Sequence, residues 1–145
     1  MTITIPHRSI FKDRSFLKTA LAAKRGIVTI AAQVGSGRSR NAYEILSRMM
    51  SARSGAQSVA VVTTHPGEIP SHIKVREVYA DLAAYEERTS TLDDFVLVDL
   101  GRPLDAHTRE LLTGYARHAT IIVTDQKKPV AVPPTIDISF ALSAG

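Results

Sequence analysis

The residues best equipped for chemistry lie in the stretch 32–39, AQVGSGRS, where two glycines, two serines and an arginine follow a run rich in β-branched residues. Gly35 and Gly37 can take backbone conformations closed to other residues, which lets successive N–H groups converge on one point. At the start of a helix that point is also the positive end of the helix dipole, so the chemistry it suits is the capture of phosphate oxygens. The candidate cofactor-binding residues are Val34, Gly35, Ser36, Gly37, Arg38, Ser39 and Arg40. Ser39 is placed to offer its hydroxyl to a Mg²⁺ ion that accompanies the phosphates. The pattern is that of a phosphate loop in every element except that Arg38 stands where lysine is usual. Lysine is a compact point charge, whereas guanidinium is wide, planar and forked, so Arg38 is expected to meet phosphate from outside the loop and to weaken affinity and catalysis. A plain strand-to-helix turn would use the same glycines.

Such a loop needs a strand before it and a helix after it, and the pattern supplies both. IVTIAA at 27–32 is short, apolar and bounded by glycine, the signature of a buried strand, and 59–63, 95–100 and 120–124 repeat it. Between the first two, Ala42, Ile45, Leu46, Met49 and Met50 recur at helical spacing over 39–53; between the last two, Leu104, Leu111, Leu112 and Tyr115 do so over 104–118. Strand and helix in alternation predict an α/β fold, a mainly parallel sheet covered by helices. Further helices are expected over 13–24 and 75–88, an extended proline-containing connector over 127–134 and a last strand over 135–142. Asp93 and Asp94 read as a turn and strand-start pair.

The chain is 145 residues with a formal charge of +4 and 44% hydrophobic residues, which fits one domain over 1–145: a basic helical region to 25, a core to 126 and a tail. It has no cysteine, which excludes disulfides, thiolate metal sites and a cysteine nucleophile. Its five histidines show no metal-binding pair at helical spacing with a third ligand. No apolar run approaches the ~20 residues that span a bilayer, and the start lacks the continuous apolar segment of a secretory signal, so the expected location is the cytoplasm. Residues 1–54 hold ten Lys/Arg against Asp13 and Glu44, a balance of +8, which leaves −4 for the other 91. That asymmetry suits a phosphate-rich partner, an anionic membrane, a complementary surface on another copy, or simply a solvated face.

The run RGIVTIAAQVGSGRSR at 25–40 resembles the opening of the nucleotide core of the type IV pilus retraction and type II and type IV secretion ATPases, which is RecA-like. Three later stretches keep the family's order and approximate spacing. Thr64, His65, Pro66, Gly67 and Glu68 look like its acidic box, Asp94 to Ala106 like its Walker B region, and Ile121 to Gln126 like its closing strand. The resemblance covers about residues 25–126 and implies a three-layer RecA-like phosphate-loop domain, with ATP and Mg²⁺ as cofactors. It implies Glu68 and Asp99 as catalytic carboxylates, Ser39 and Asp99 as Mg²⁺ ligands, and Asp99 on the strand beside the loop strand. Arg102 matches a family arginine.

The departures are systematic: Arg38 replaces the loop lysine, Thr64 and His65 replace two acids, Leu100 replaces the Walker B glutamate and Gln126 the family histidine. Hydrolysis needs a group that orients the attacking water, and Leu100 removes it. The resemblance therefore implies a reduced, degenerate ATPase-like core that binds nucleotide weakly or not at all. It would act through protein contacts with a secretion, conjugation or pilus machine, on its own copies or on a full-length ATPase. The alternatives are a working Mg²⁺-dependent ATPase subunit and a small basic nucleic-acid-binding accessory protein, although no aromatic-interleaved basic platform is evident.

Overall fold

A strand whose residues are apolar without alternation must be covered on both faces, and three of the strands described here are of that kind, through Val59–Val62, Phe95–Val98 and Ile121–Val123. The computed structural model describes residues 2–6, 26–33, 37–53, 55, 57–87, 93–127 and 135–142. The strands are β1 (Thr2–Pro6), β2 (Gly26–Gln33), β3 (Val59–Thr63), β4 (Glu77–Tyr79), β5 (Phe95–Asp99), β6 (Thr120–Lys127) and β7 (Thr135–Leu142). They form one sheet in the order β1-β7-β2-β6-β5-β3-β4. The five from β2 to β4 run parallel, and β7 joins the outer edge of β2 antiparallel, with β1 antiparallel to β7. The fold is α/β, a five-strand parallel sheet flanked by helices.

Side-chain alternation assigns each face its helix. Helix α1 (Arg38–Ala52) turns Ala42, Ile45, Leu46 and Met49 onto Val28, Ile30, Val61, Phe95 and Leu97. The opposite face carries Ala60, Val62, Val96, Val98, Ile121 and Val123, which pack on α2 (Leu82–Glu86) and α3 (Ala106–Tyr115). Asp81 caps α2 by accepting from the Ala84 N–H at 2.8 Å, and Asp105 caps α3 by accepting from the Thr108 N–H at 2.7 Å.

The structure departs from the sequence expectation in three places. The segment 75–88 is not one helix but β4 followed by α2. The free edge of β3 offers a ladder that helix formation would forfeit: Arg76 N–H donates to the Val59 carbonyl at 2.7 Å, and Val78 pairs with Val61. Strand β1 was not expected, since its partner β7 lies at the far end of the chain. And β5 is not beside β2: β6 lies between them, because Ile121, Ile122 and Val123 are buried and take sheet neighbours on both edges. The expected helix over 13–24 lies outside the described residues; of the expected connector over 127–134, Lys127 ends β6 and the rest lies outside the described residues.

The outer strand is fastened by a buried carboxylate. Asp93, 3% exposed, accepts from Arg76 Nε at 2.7 Å and Nη2 at 3.0 Å, and from Ser58 Oγ at 2.6 Å. Asp94 accepts from the Ser58 N–H at 2.7 Å, so the pair is more than a turn. Arg76 also lies over the Tyr79 ring, and Tyr79, Tyr85 and Tyr115 follow in edge-to-face contacts of 5.2 and 5.4 Å. Burial alone would raise the Asp93 carboxyl, but the hydrogen bonds from Arg76 and Ser58, the Arg76 charge and a weaker bond from Tyr85 outweigh it and hold it below the usual range. A depressed folded pKa gives stability that is present above the unfolded value, about 3.9, and lost as pH falls through the folded one. Asp93→Asn should therefore cost about 2–3 kcal/mol in urea unfolding at pH 7, at the low side for a broken buried pair because Arg76 keeps water contact. The gap to the wild type should narrow below about pH 4.

Candidate functional site

At the carboxyl end of β2 the chain enters α1 through Gly37, whose φ of 75° and ψ of 29° lie in the left-handed region. A β-carbon there is strained, so glycine is required by the backbone. The Gly37 carbonyl accepts from Asn41 twice, from its N–H at 2.9 Å and from Nδ2 at 2.7 Å. Val34, Gly35 and Ser36 lie outside the described residues. The N-cap of α1 is Gly37, which has no side chain to cap it, and the first turn holds no acid; it opens with Arg38, Ser39 and Arg40. Two cations at the positive end of a helix oppose its dipole, by about 0.3–1 kcal/mol each, and a bound anion would reverse that sign.

Arg38 turns back on the strand: Nη1 donates to the Ala32 carbonyl at 3.0 Å, while Nε is buried with no partner. One helical turn after Ser39, Tyr43 is 3% exposed and its hydroxyl is buried without a well-formed hydrogen bond. Burial first, then the charge of Asp99, pushes the phenol up to about 12; an imperfect contact with Thr63 works against this and Glu68 adds to it.

A cavity of about 600 Å³ opens between this first turn of α1, with Tyr43, and the segment after β3 that carries Glu68 and Pro70. That volume is within the roughly 300–1,000 Å³ of small-molecule sites, and the carboxyl edge of a parallel sheet is where such folds bind ligands. Gly37, Arg38, Ser39, Arg40 and Glu68, all expected from the sequence, meet there. Glu68 is exposed, in a 3-10 turn over Pro66–Glu68.

Asp99 is not brought to the same place. It ends β5 at 3% exposure, Oδ1 accepts from Thr124 Oγ1 at 2.8 Å, and it does not line the cavity that holds Ser39. Leu100 is half-buried, and Arg102 is exposed, away from the cavity, with its carbonyl accepting from the Gln126 N–H at 3.4 Å. His65 N–H donates to Thr63 Oγ1 at 3.0 Å, and its ring pairs with the Thr64 hydroxyl at 2.9 Å. Among the described residues no group of three His, Asp or Glu could hold a metal, and no helix is long and apolar enough to cross a membrane.

Tyr43 is the site residue that sequence reasoning passed over. The signal was available, since a residue four positions after Ser39 shares its helix face. The chain matches no protein-family model and no curated protein. The cavity sets the donors Arg38, Ser39 and Arg40 of the first turn of α1 against the carboxylates of Glu44 and Glu68.

Gly37→Ala should lower stability by about 1–2 kcal/mol in denaturant unfolding, the cost of a β-carbon in the left-handed region. In a spectrophotometric titration the Tyr43 phenolate should form only near pH 12, a component that disappears in Tyr43→Phe. Because the folded value is raised, the stability it contributes is present below the unfolded value, about 10, and is lost as pH climbs through the folded one.

Proposed function

We propose that this protein is a RecA-like phosphate-loop domain that binds nucleotide weakly through the start of α1. On this reading it is a catalytically reduced relative of the pilus and secretion ATPases, acting in the cytoplasm through contacts with a protein machine, either copies of itself or a full-length ATPase. The observation that carries the reading is the buried Nε of Arg38, without a partner among the described residues, at a positively charged helix start that opens with left-handed Gly37. A buried donor without an acceptor is costly, and a phosphate oxygen is the acceptor that this position suits.

The chain's own groups divide the work unevenly. The first-turn N–H groups of α1, Ser39 and Arg40 are placed to bind and orient phosphate, and Arg38 to do so only sideways, since one of its nitrogens is committed to Ala32. Mg²⁺, where a nucleotide brings it, supplies charge neutralisation. Leu100 cannot accept a proton or orient water, and of the two predicted carboxylates only Glu68, exposed and free of a rigid partner shell, faces the cavity. Weak binding without appreciable turnover is the consequence.

Calorimetry with ADP and ATP should give binding in the millimolar range, about −4 kcal/mol, with phosphate release at background. Gly37→Asp, checked for folding by circular dichroism, should abolish the heat. Absence of binding at millimolar ligand would overturn the proposal, and phosphate release above background that is lost in Glu68→Gln would favour a working ATPase instead.

A further inference from the structure

The α1 cavity has more room than a diphosphate takes, and its two walls differ in what they offer. One wall is the helix from Gly37 to Glu44, with Arg38 and Arg40 at its start; the other is Glu68, Pro70 and His72. The second wall runs beside the helix as far as its third turn, where His72 Nε2 lies 3.4 Å from Ser47 Oγ. From Ser39 to Ser47 a helix rises about 12 Å. A length of that order, with a volume of about 600 Å³, suits a whole nucleoside diphosphate, base included.

The backbone of the second wall is fixed by the core. Ile73 is buried in the cluster beneath α1 and Ile69 packs against that cluster. Between them the chain is set by tight turns, with Glu68 N–H donating to the His65 carbonyl at 3.0 Å and Ile73 N–H to the Pro70 carbonyl at 3.2 Å. The side chain of Glu68 is otherwise uncommitted: it lines the cavity, and its carboxylate has no hydrogen bond or ion pair among the described residues. Glu44, by contrast, has Arg48 at 3.9 Å on the next turn. An ionised carboxylate offers acceptors only, on two oxygens, so a ligand that engages this wall must bring donors.

The common bases differ on this point. Guanine presents two adjacent donors on one edge, N1–H and the 2-amino group, which match the two oxygens of one carboxylate. Adenine and cytosine set an amino group beside a ring-nitrogen acceptor, and uracil flanks its N–H with two carbonyls, so each brings a lone pair up against the carboxylate. Pro70 and the His72 ring supply flat surface on the same wall for a base to lie against. We propose that the cavity selects guanine nucleotides, with the Glu68 carboxylate accepting from N1–H and the 2-amino group. This deepens the nucleotide-binding reading and rests on it. Glu68, which the resemblance implies as a catalytic carboxylate, is then a specificity-determining residue.

The test is calorimetric titration of the full chain with GDP, ADP and IDP in one Mg²⁺-containing buffer, beside Glu68→Gln. IDP keeps N1–H and lacks the 2-amino group. The expected result is GDP bound about tenfold or more tighter than ADP, as hydrogen bonds to a charged group allow, with IDP between them. In Glu68→Gln the preference for GDP should disappear, while the variant melts with the wild type because the side chain is exposed. ADP bound as tightly as GDP would overturn the inference and leave the nucleotide reading standing. IDP bound as tightly as GDP would overturn the pairing with the 2-amino group, and a preference that Glu68→Gln retains would overturn the assignment to Glu68. Absence of binding by all three at millimolar concentration would overturn the inference together with the reading beneath it. The comparison of GDP with ADP on the wild type decides the base preference even if the variant does not fold.

Discussion

Everything in this fold depends on the burial of both faces of its central strands. Val59 to Val62, Phe95 to Val98 and Ile121 to Val123 are all buried, so helices must lie above and below, and no residue inside those strands can reach solvent or a ligand. Polar groups are admitted only where strands end. The protein accordingly has two polar rims, one at each end of the parallel strands, and the same strand length that builds the core holds the rims apart. The candidate site occupies the carboxyl rim because that is where the first residues of α1 point their N–H groups, and helix direction in a parallel sheet leaves no other choice.

The central strands and both long helices were legible in the sequence because each carries its own period: unbroken β-branched runs for strands, spacing of three and four for α1 and α3. What was illegible depended on pairing between distant segments. Val75 to Tyr85 has enough helix formers to pass for a helix, and only the vacant edge of β3 decides that Val78 extends instead. The strand at Thr2–Pro6 exists by virtue of β7, more than a hundred residues away in sequence. The position of β6 between β2 and β5 is likewise a property of the sheet and not of any window of residues.

The site divides in the same manner. Gly37 to Arg40 and Glu68 were identifiable because the loop motif is local and the resemblance keeps its order, and the structure gathers them at one cavity. Asp99 was assigned by position in a motif, yet burial and the Thr124 hydroxyl decide what its carboxylate does. Tyr43 lies outside the loop motif, and only the structure shows it buried on the cavity lining beside Thr63. Motifs name which residues arrive at a rim; packing decides which of them face outward. Arg38 belongs with this, since its guanidinium finds an acceptor in the protein's own backbone at Ala32.

The clasp of Asp93 with Arg76 and Ser58 stands at the opposite end of β5 from Asp99. With a rise of about 3.3 Å per residue the two are separated by roughly 20 Å, too far for substitutions at one to be felt energetically at the other. One rim therefore keeps the outer strand in place while the other is free to change its chemistry. Substitutions at the carboxyl rim can thus change what that end of the sheet presents without loosening the Asp93 clasp at the other. In such an architecture the chemistry of a site and the persistence of the fold are separate matters, decided at the two ends of the same strand.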